Sequence, residues 1–228
     1  MAAHLLSLNV GSPEPSTAKN VGTTGIGKRP VGSARLRAPG PKHGGLGSGL
    51  EGDFIGDQRH HGGDYQAVYA FAREELDWWG RELGRELPHG MFGENLTTVG
   101  LDVDGALIGE RWRVGDDVVL EVCGPRIPCA TFAARMAERG WVKRFARVGR
   151  TGAYLSIVTG GTVRAGDAVE VVSRPDHGVS VPLAFRAFMG DLEAADRVLA
   201  ADCLVEVEAA ELRATVAHRR ATGTELDT

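Results

Sequence analysis

The chain has 228 residues, a formal net charge of −4 and charged side chains at 25% of its positions. That length supports one medium domain with an appendage or two small domains, and the composition is too apolar for disorder. No block of lysine and arginine stands out, which argues against nucleic acid as the main partner because phosphate neutralisation dominates that affinity, and no apolar run approaches the ~20 residues of a membrane span.

Glycine occupies 32 positions, about twice the usual ~7%, and predicts many turns and a strand-rich fold. Three cysteines without a Cys-x-x-Cys spacing or an even pairing argue for a reducing compartment, with the cytoplasm as the expected location. The N-terminal stretch Met1 to Leu8 lacks a basic start and a long apolar core, and reads as the approach to a first strand and not as a secretory signal.

His4 to Val10 alternates as a strand does. Gly11 to Thr24 reads as a loop and Val31 to Ala38 as a second strand. Pro39 to Gly52 is rich in glycine and reads as a loop over a site. From Asp64 to Leu83, the apolar residues Val68, Phe71, Ala72, Leu76, Trp79 and Leu83 recur at helical spacing. Asp64 is the expected N-cap and Gly84 the stop, and the aromatic stripe is expected to face the core. Arg111 to Cys123 and Tyr154 to Val172 each read as strand, Gly-Asp turn, strand, and two such hairpins suggest a barrel or a strongly bent sheet. From Ser173 the pattern turns helical, with helices expected over Leu183 to Met189, Leu192 to Ala201 and Leu204 to Ala221. Asp191 is placed to cap the second. Cys203 is expected to pack as a core thiol and Cys123 to be structural.

Pro125-Arg126-Ile127-Pro128-Cys129 is the stretch with the most chemistry. It sets a cysteine at a corner, after the strand Val118 to Val122 and before the helical run Thr131 to Arg139. Pro128 stiffens the corner, and a nearby cation favours the thiolate, the form that ligates metals. Asn95 offers an amide donor and a carbonyl acceptor, suited to a heterocycle edge, and Glu94 could pair with ring N–H groups; Gly93-Glu94-Asn95 is equally a turn. His61-Gly62-Gly63 permits close backbone approach and could form an anion nest, or simply a turn before a helix. Lys28, Arg29 and Arg126 are candidate contacts for an anion. His60, His61 and Asp57 make a poor zinc set, because adjacent histidines on an extended segment point apart.

Taken in order, Lys28 to Gly32, His60-His61-Gly62-Gly63, Gly93-Glu94-Asn95-Leu96, Pro125 to Cys129 and the turns at Gly115-Asp116 and Gly166-Asp167 resemble the MOSC family, within it the bacterial YiiM-like branch. The match runs from about Val21 to Gly166. Gln66 stands where the family often has lysine and Glu110 where it often has aspartate. The resemblance implies an α+β fold, mainly β: a MOSC-type β-barrel, pyruvate-kinase-barrel-like, over 1–175 with its core at about 21–166, and a three-helix unit over 176–228 that helps to dock a redox partner. It implies molybdenum cofactor, the metal-bearing molybdopterin, with Cys129 as both the catalytic residue and the protein ligand of molybdenum. Lys28, His61, Gly62, Gly63, Glu94, Asn95, Leu96 and Arg126 are the implied cofactor contacts.

The activity implied is reduction of N-hydroxylated small molecules such as hydroxylaminopurines. No dinucleotide fingerprint is present, so the electrons are expected from a separate redox protein. MOSC domains also end the cofactor sulfurases, so a cofactor carrier or sulfur-transfer module without its own turnover is the alternative, and an interaction domain with a structural cysteine is a third reading. Pyridoxal phosphate enters only through that sulfurase association, and no residues here support it. Oligomer formation stays open.

Overall fold

The computed structural model describes residues 2–19 and 21–222. In chain order its strands and helices are β1 (His4–Val10), β2 (Glu14–Pro15), β3 (Thr23–Thr24), β4 (Arg29–Val31), β5 (Ser33–Leu36), β6 (Val68–Ala72), α1 (Arg73–Leu83), β7 (Leu96–Val99), β8 (Arg111–Val114), β9 (Val118–Pro125), α2 (Ala130–Met136), α3 (Trp141–Val148), β10 (Ala153–Thr159), β11 (Gly161–Arg164), β12 (Val169–Ser173), α4 (Val181–Met189), α5 (Leu192–Ala200) and α6 (Glu206–Thr222). Eight strands form one mixed sheet in the order β12-β8-β9-β10-β6-β7-β1-β4, and β11-β5 and β2-β3 form two-stranded ladders. The β6–β7 pair is parallel. The architecture is α+β.

The expected closed barrel is not what the ladders show. The sheet curls until the start of β12 reaches β1, where the Leu5 N–H donates to the Asp167 carbonyl at 2.8 Å, the Gly166 N–H to the Leu5 carbonyl at 2.7 Å and the Val169 N–H to the Ala3 carbonyl at 2.9 Å. The two strands share no ladder, only the isolated bridge His4↔Ala168 just outside β12. The cause lies in the second expected hairpin. The Gly115 turn does join the paired strands β8 and β9, whereas β11 leaves its neighbours to pair with β5 and β12 pairs with β8. The strand expected over Val31 to Ala38 is likewise split, with Arg29–Val31 on β1 and Ser33–Leu36 on β11.

The long helix expected from Asp64 to Leu83 is three elements. A 3-10 turn covers Asp64–Gln66, β6 follows, and the α-helix starts only at Arg73. Val-Tyr-Ala-Phe-Ala is buried at every position, because β6 is an interior strand between β10 and β7. A continuous apolar run satisfies a helical period and a doubly buried strand alike, and β-branched and aromatic residues tip it toward the strand. Asp64 does not cap an α-helix: its Oδ1 accepts from the Gly40 N–H at 2.8 Å. Gly84 does end α1, in the left-handed conformation at φ 64°.

Two cores result. The larger lies inside the sheet and includes Val181, Leu183 and Val198 from α4 and α5 and Leu212 from α6. Asp191 caps α5 as expected, accepting from the Ala194 N–H at 3.0 Å, and Cys203 packs half-buried against this core. Residues 223–228 of the expected three-helix unit lie outside the described residues. The second core is aromatic. Phe71, Trp79, Phe92, Phe132, Trp141 and Phe145 pack between β6, α1, α2 and α3, so the aromatic stripe does face the interior. No helix among the described residues is long and apolar enough to cross a membrane.

Candidate functional site

The corner predicted from Pro125 to Cys129 forms one wall of an open-mouthed cleft with about 90 Å³ of free interior space. Strand β9 runs out at Pro125, and Cys129, extended at φ −126°, leads into α2. Cys129, Arg126, His61, Gly62, Tyr69, Tyr154, Gln66, Asn95 and Lys28 all line this one space, so six residues from distant sequence motifs converge with three that the sequence did not single out as contacts.

Cys129 is half-buried and free. Burial pushes its thiol up, but the His61 ring, the Arg126 guanidinium and the Phe132 N–H outweigh that and bring it from 9.0 to about 6. At neutral pH it is therefore mainly thiolate, the nucleophilic and metal-ligating form. Arg126 is only 5% exposed. Its guanidinium lies 3.9 Å from the centroid of the Phe132 ring and 5.1 Å from that of Tyr69, and it donates through Nη1 to the Phe92 carbonyl. Its Nε is buried without any partner. Tyr69 stacks near Tyr154 with ring centroids 5.1 Å apart and donates its hydroxyl to the Thr151 carbonyl at 2.6 Å.

Several expected contacts are occupied by the protein itself. Lys28 is buried against Asp53 in an ion pair, and burial holds its ammonium below the usual lysine range despite that partner. Asp53 also accepts from the Gly11 N–H at 2.7 Å, the Ser48 hydroxyl at 2.7 Å and the Asn95 amide at 2.9 Å. Asn95 completes its set by accepting from the Tyr69 N–H at 3.2 Å. Lys28 is thus not a free cation and Asn95 not a free amide; both hold the cleft floor in shape. Glu94 is fully buried and accepts from the Gly90 N–H at 2.5 Å, the Phe92 N–H at 3.0 Å and the Thr97 hydroxyl at 3.0 Å. Those bonds engage both of its carboxylate oxygens within the protein. Leu96 belongs to the sheet core and does not face the cleft.

The glycine loop is also approached by the chain's own backbone. The Gly63 N–H donates to the Gly47 carbonyl at 2.9 Å. A Cβ on Gly63, at φ +82°, would stand 2.7 Å from the Lys42 backbone, and one on Gly62 would stand 2.6 Å from the Gly47 carbonyl oxygen. The glycine-rich segment from Pro39 to Gly52 is thereby clamped at its second half, with Gly47, Ser48, Gly49 and Leu50 buried. Its first half lines an outer groove, with Lys42 and His43 opposite Asp57 and Arg59, and this groove shares Val21, Thr23, Gly56 and Asp57 with the cleft. Asp53 is the residue that sequence reasoning missed. Its partners are scattered through the chain, and its only local mark is the glycine before it.

Among the described residues no group of three or more His, Cys, Asp or Glu could hold a metal ion. The unpartnered buried atoms in the cleft wall, Arg126 Nε and Gln66 Oε1, call for an acceptor and a donor from a bound group. A sulfur-ligated metal on a nitrogen-rich heterocycle fits this donor set.

The MOSC domain model matches residues 57–170. The Bacillus subtilis protein YflK is 35% identical over 207 residues, covering 89% of each chain. A Gibberella moniliformis protein named "Reductase" is 33% identical over 118 residues, but the match spans 50% of this chain and only 21% of that protein. The crystal structure of YiiM from Geobacillus stearothermophilus superposes with a TM-score of 0.72 at 22% identity, covering 94% of this chain and 99% of the other.

Proposed function

This chain belongs to the MOSC domain family, of the YiiM-like kind, and from that membership we propose that its cleft binds molybdenum cofactor and that the protein reduces N-hydroxylated small molecules. The observation that carries the reading is the Cys129 thiolate, brought to about 6 beside His61 and Arg126 in a cleft with two unpartnered polar atoms. The reductase named among the relatives supports the reaction class at partial coverage.

Cys129 is the soft protein ligand that such a metal takes. Arg126 Nε would donate to an acceptor on a bound heterocycle, and Gln66 Oε1 would accept from an N–H on it. Tyr69 and Phe132 fix the guanidinium from both sides, so its direction is set before anything binds. The Lys28–Asp53–Asn95 network holds the floor without spending charge on the ligand. Lys42 in the outer groove would supply the cation for a phosphate end that Lys28 does not.

When bound, the cofactor supplies two-electron oxygen-atom chemistry, which no side chain offers. Overall, an N–O bond is cleaved, two electrons and two protons are taken up, and the products are an amine and water. His61 faces the same cleft and is the side chain placed to pass protons to the departing oxygen.

The test is to purify the protein from a host that makes the cofactor, then to assay hydroxylaminopurine reduction with dithionite. Turnover that disappears in a host unable to make the cofactor is the expected result. Bound cofactor without turnover points to the carrier function, and equal turnover from both hosts overturns the proposal.

A further inference from the structure

The acidic balance of the chain is not uniform. Between residues 135 and 150 stand Arg135, Arg139, Lys143, Arg144, Arg147 and Arg150, against the single acid Glu138. They are not a run in sequence, which is why no basic block stands out there. Spaced mostly three or four apart, they gather on and around α3, which itself carries Lys143, Arg144 and Arg147. Arg144 and Arg150 are engaged by Glu82 and Glu75. Arg139, Lys143 and Arg147 are exposed, and among the described residues the ion pairs include no partner for any of them. Lys143 and Arg147 stand one turn apart on α3 and stack like charges, an arrangement that weakens a helix on its own account, and Arg139 lies in the turn just before Gly140, the residue that caps α3. Val142, 36% exposed, lies among them, giving a small apolar centre with a cationic rim.

The opposite side of α3 leads to the cleft. Trp141 and Phe145 meet the Phe132 ring edge-on at 5.3 and 5.0 Å, and Phe132 carries the Arg126 guanidinium at 3.9 Å. The cationic face thus lies behind the wall that bears Cys129.

We propose that this face docks the electron donor of the reductase, and that the donor is a protein with an acidic surface. The inference rests on the reductase reading above. A nucleic acid meeting three free cations would show a salt slope of only about −2.7 in log K against log[salt], far from the six to ten contacts of a dedicated binder. Transient electron-transfer encounters, by contrast, are small and steered by charge. The C-terminal helices expected to dock the donor carry the wrong sign: Asp191 to Thr222 holds seven acids against four Lys and Arg, and would repel an acidic partner.

The test uses the cofactor-loaded protein and an acidic flavodoxin as the probe. Binding to immobilised flavodoxin is measured across a salt series, and turnover is compared with reduced flavodoxin and with dithionite. Arg139→Glu/Lys143→Glu/Arg147→Glu is expected to weaken flavodoxin binding at low salt at least tenfold and to raise KM for flavodoxin. Dithionite-driven turnover and the unfolding midpoint stay unchanged. The neutral Lys143→Gln/Arg147→Gln variant should fall between. Salt-independent binding, or binding that survives charge reversal, overturns the proposal, as does a variant that loses heparin retention while keeping flavodoxin turnover. If wild type turns over with neither reductant, the reductase reading has failed, whereas dithionite turnover without flavodoxin docking fails this inference alone.

Discussion

Cys123 and Cys129 flank one corner of the chain and have opposite chemistry. Cys123 lies in the buried C-terminal half of β9, where burial first, and the Glu208 and Glu121 carboxylates with it, push its thiol up to about 11 against hydrogen bonding to Ser156. Cys129 lies past Pro128, where His61 and Arg126 more than offset burial and bring it to about 6. The residue type is the same; the sign of the neighbouring charge and the access to the cleft differ. A cysteine is made reactive by its surroundings, and here the surroundings are assembled from a glycine loop, a proline corner and a buried arginine.

The widest gap between the two should appear in alkylation. At pH 7 the thiolate fractions implied by values of about 6 and about 11 differ by roughly four orders of magnitude. Iodoacetamide followed by peptide mass spectrometry should label Cys129 rapidly and Cys123 hardly at all. Comparable rates would erase the contrast.

A second strike is at the support of the Cys129 side. Gly63→Val forces a side chain into the Lys42 backbone at a left-handed φ, at a cost on the order of 2–3 kcal/mol. Its unfolding midpoint should fall, and cofactor content should fall with it, because the loop that carries His61 shifts. An unchanged midpoint would return these glycines to an anion-binding role.

The Cys123 side is sharpened at Glu208. Burial raises this carboxyl to about 7 against the attraction of Lys42, and its Oε2 has no partner. A folded-state value above the unfolded one means that stability is retained at low pH and lost as pH rises through about 7. Glu208→Gln should therefore raise stability by on the order of 1–2 kcal/mol at pH 8 and change little at pH 4. A thermal melt at the two pH values decides it, and equal effects at both would contradict the burial assignment. The smallest effect expected is from His61→Ala, which removes one of the groups that lower Cys129. The midpoint of its alkylation against pH should rise from about 6 by about one unit, and no movement would leave Arg126 as the governing neighbour.

What was legible in the sequence follows the range of the interactions. The Pro125 to Cys129 corner could be read because proline, cation and thiol are neighbours in the chain. The caps at Gly84 and Asp191 are equally local. Val68–Ala72 misled because an uninterrupted apolar run fits two periods, and only its neighbours β10 and β7 decide between them. Barrel closure was overestimated because the Gly166-Asp167 turn looks like the Gly115 turn, while the partner of β11 lies far upstream. Of the residues picked from sequence, Cys129, Arg126 and His61 line the cleft, whereas Glu94, Leu96 and Gly63 lie behind it: a carboxylate or N–H that the protein itself satisfies looks no different in sequence from a free one. Asp53 was invisible because what marks it is four partners that the fold alone brings together.

The central claim is that Cys129 alone of the thiols holds the metal-bearing cofactor. The direct measurement is molybdenum and pterin content in wild type, Cys129→Ala, Cys123→Ala and Cys203→Ala, each purified from a host that makes the cofactor. The account predicts near-stoichiometric molybdenum in wild type and in the Cys123 and Cys203 variants, and little or none in Cys129→Ala at an unchanged unfolding midpoint. Equal molybdenum in Cys129→Ala and wild type would contradict it.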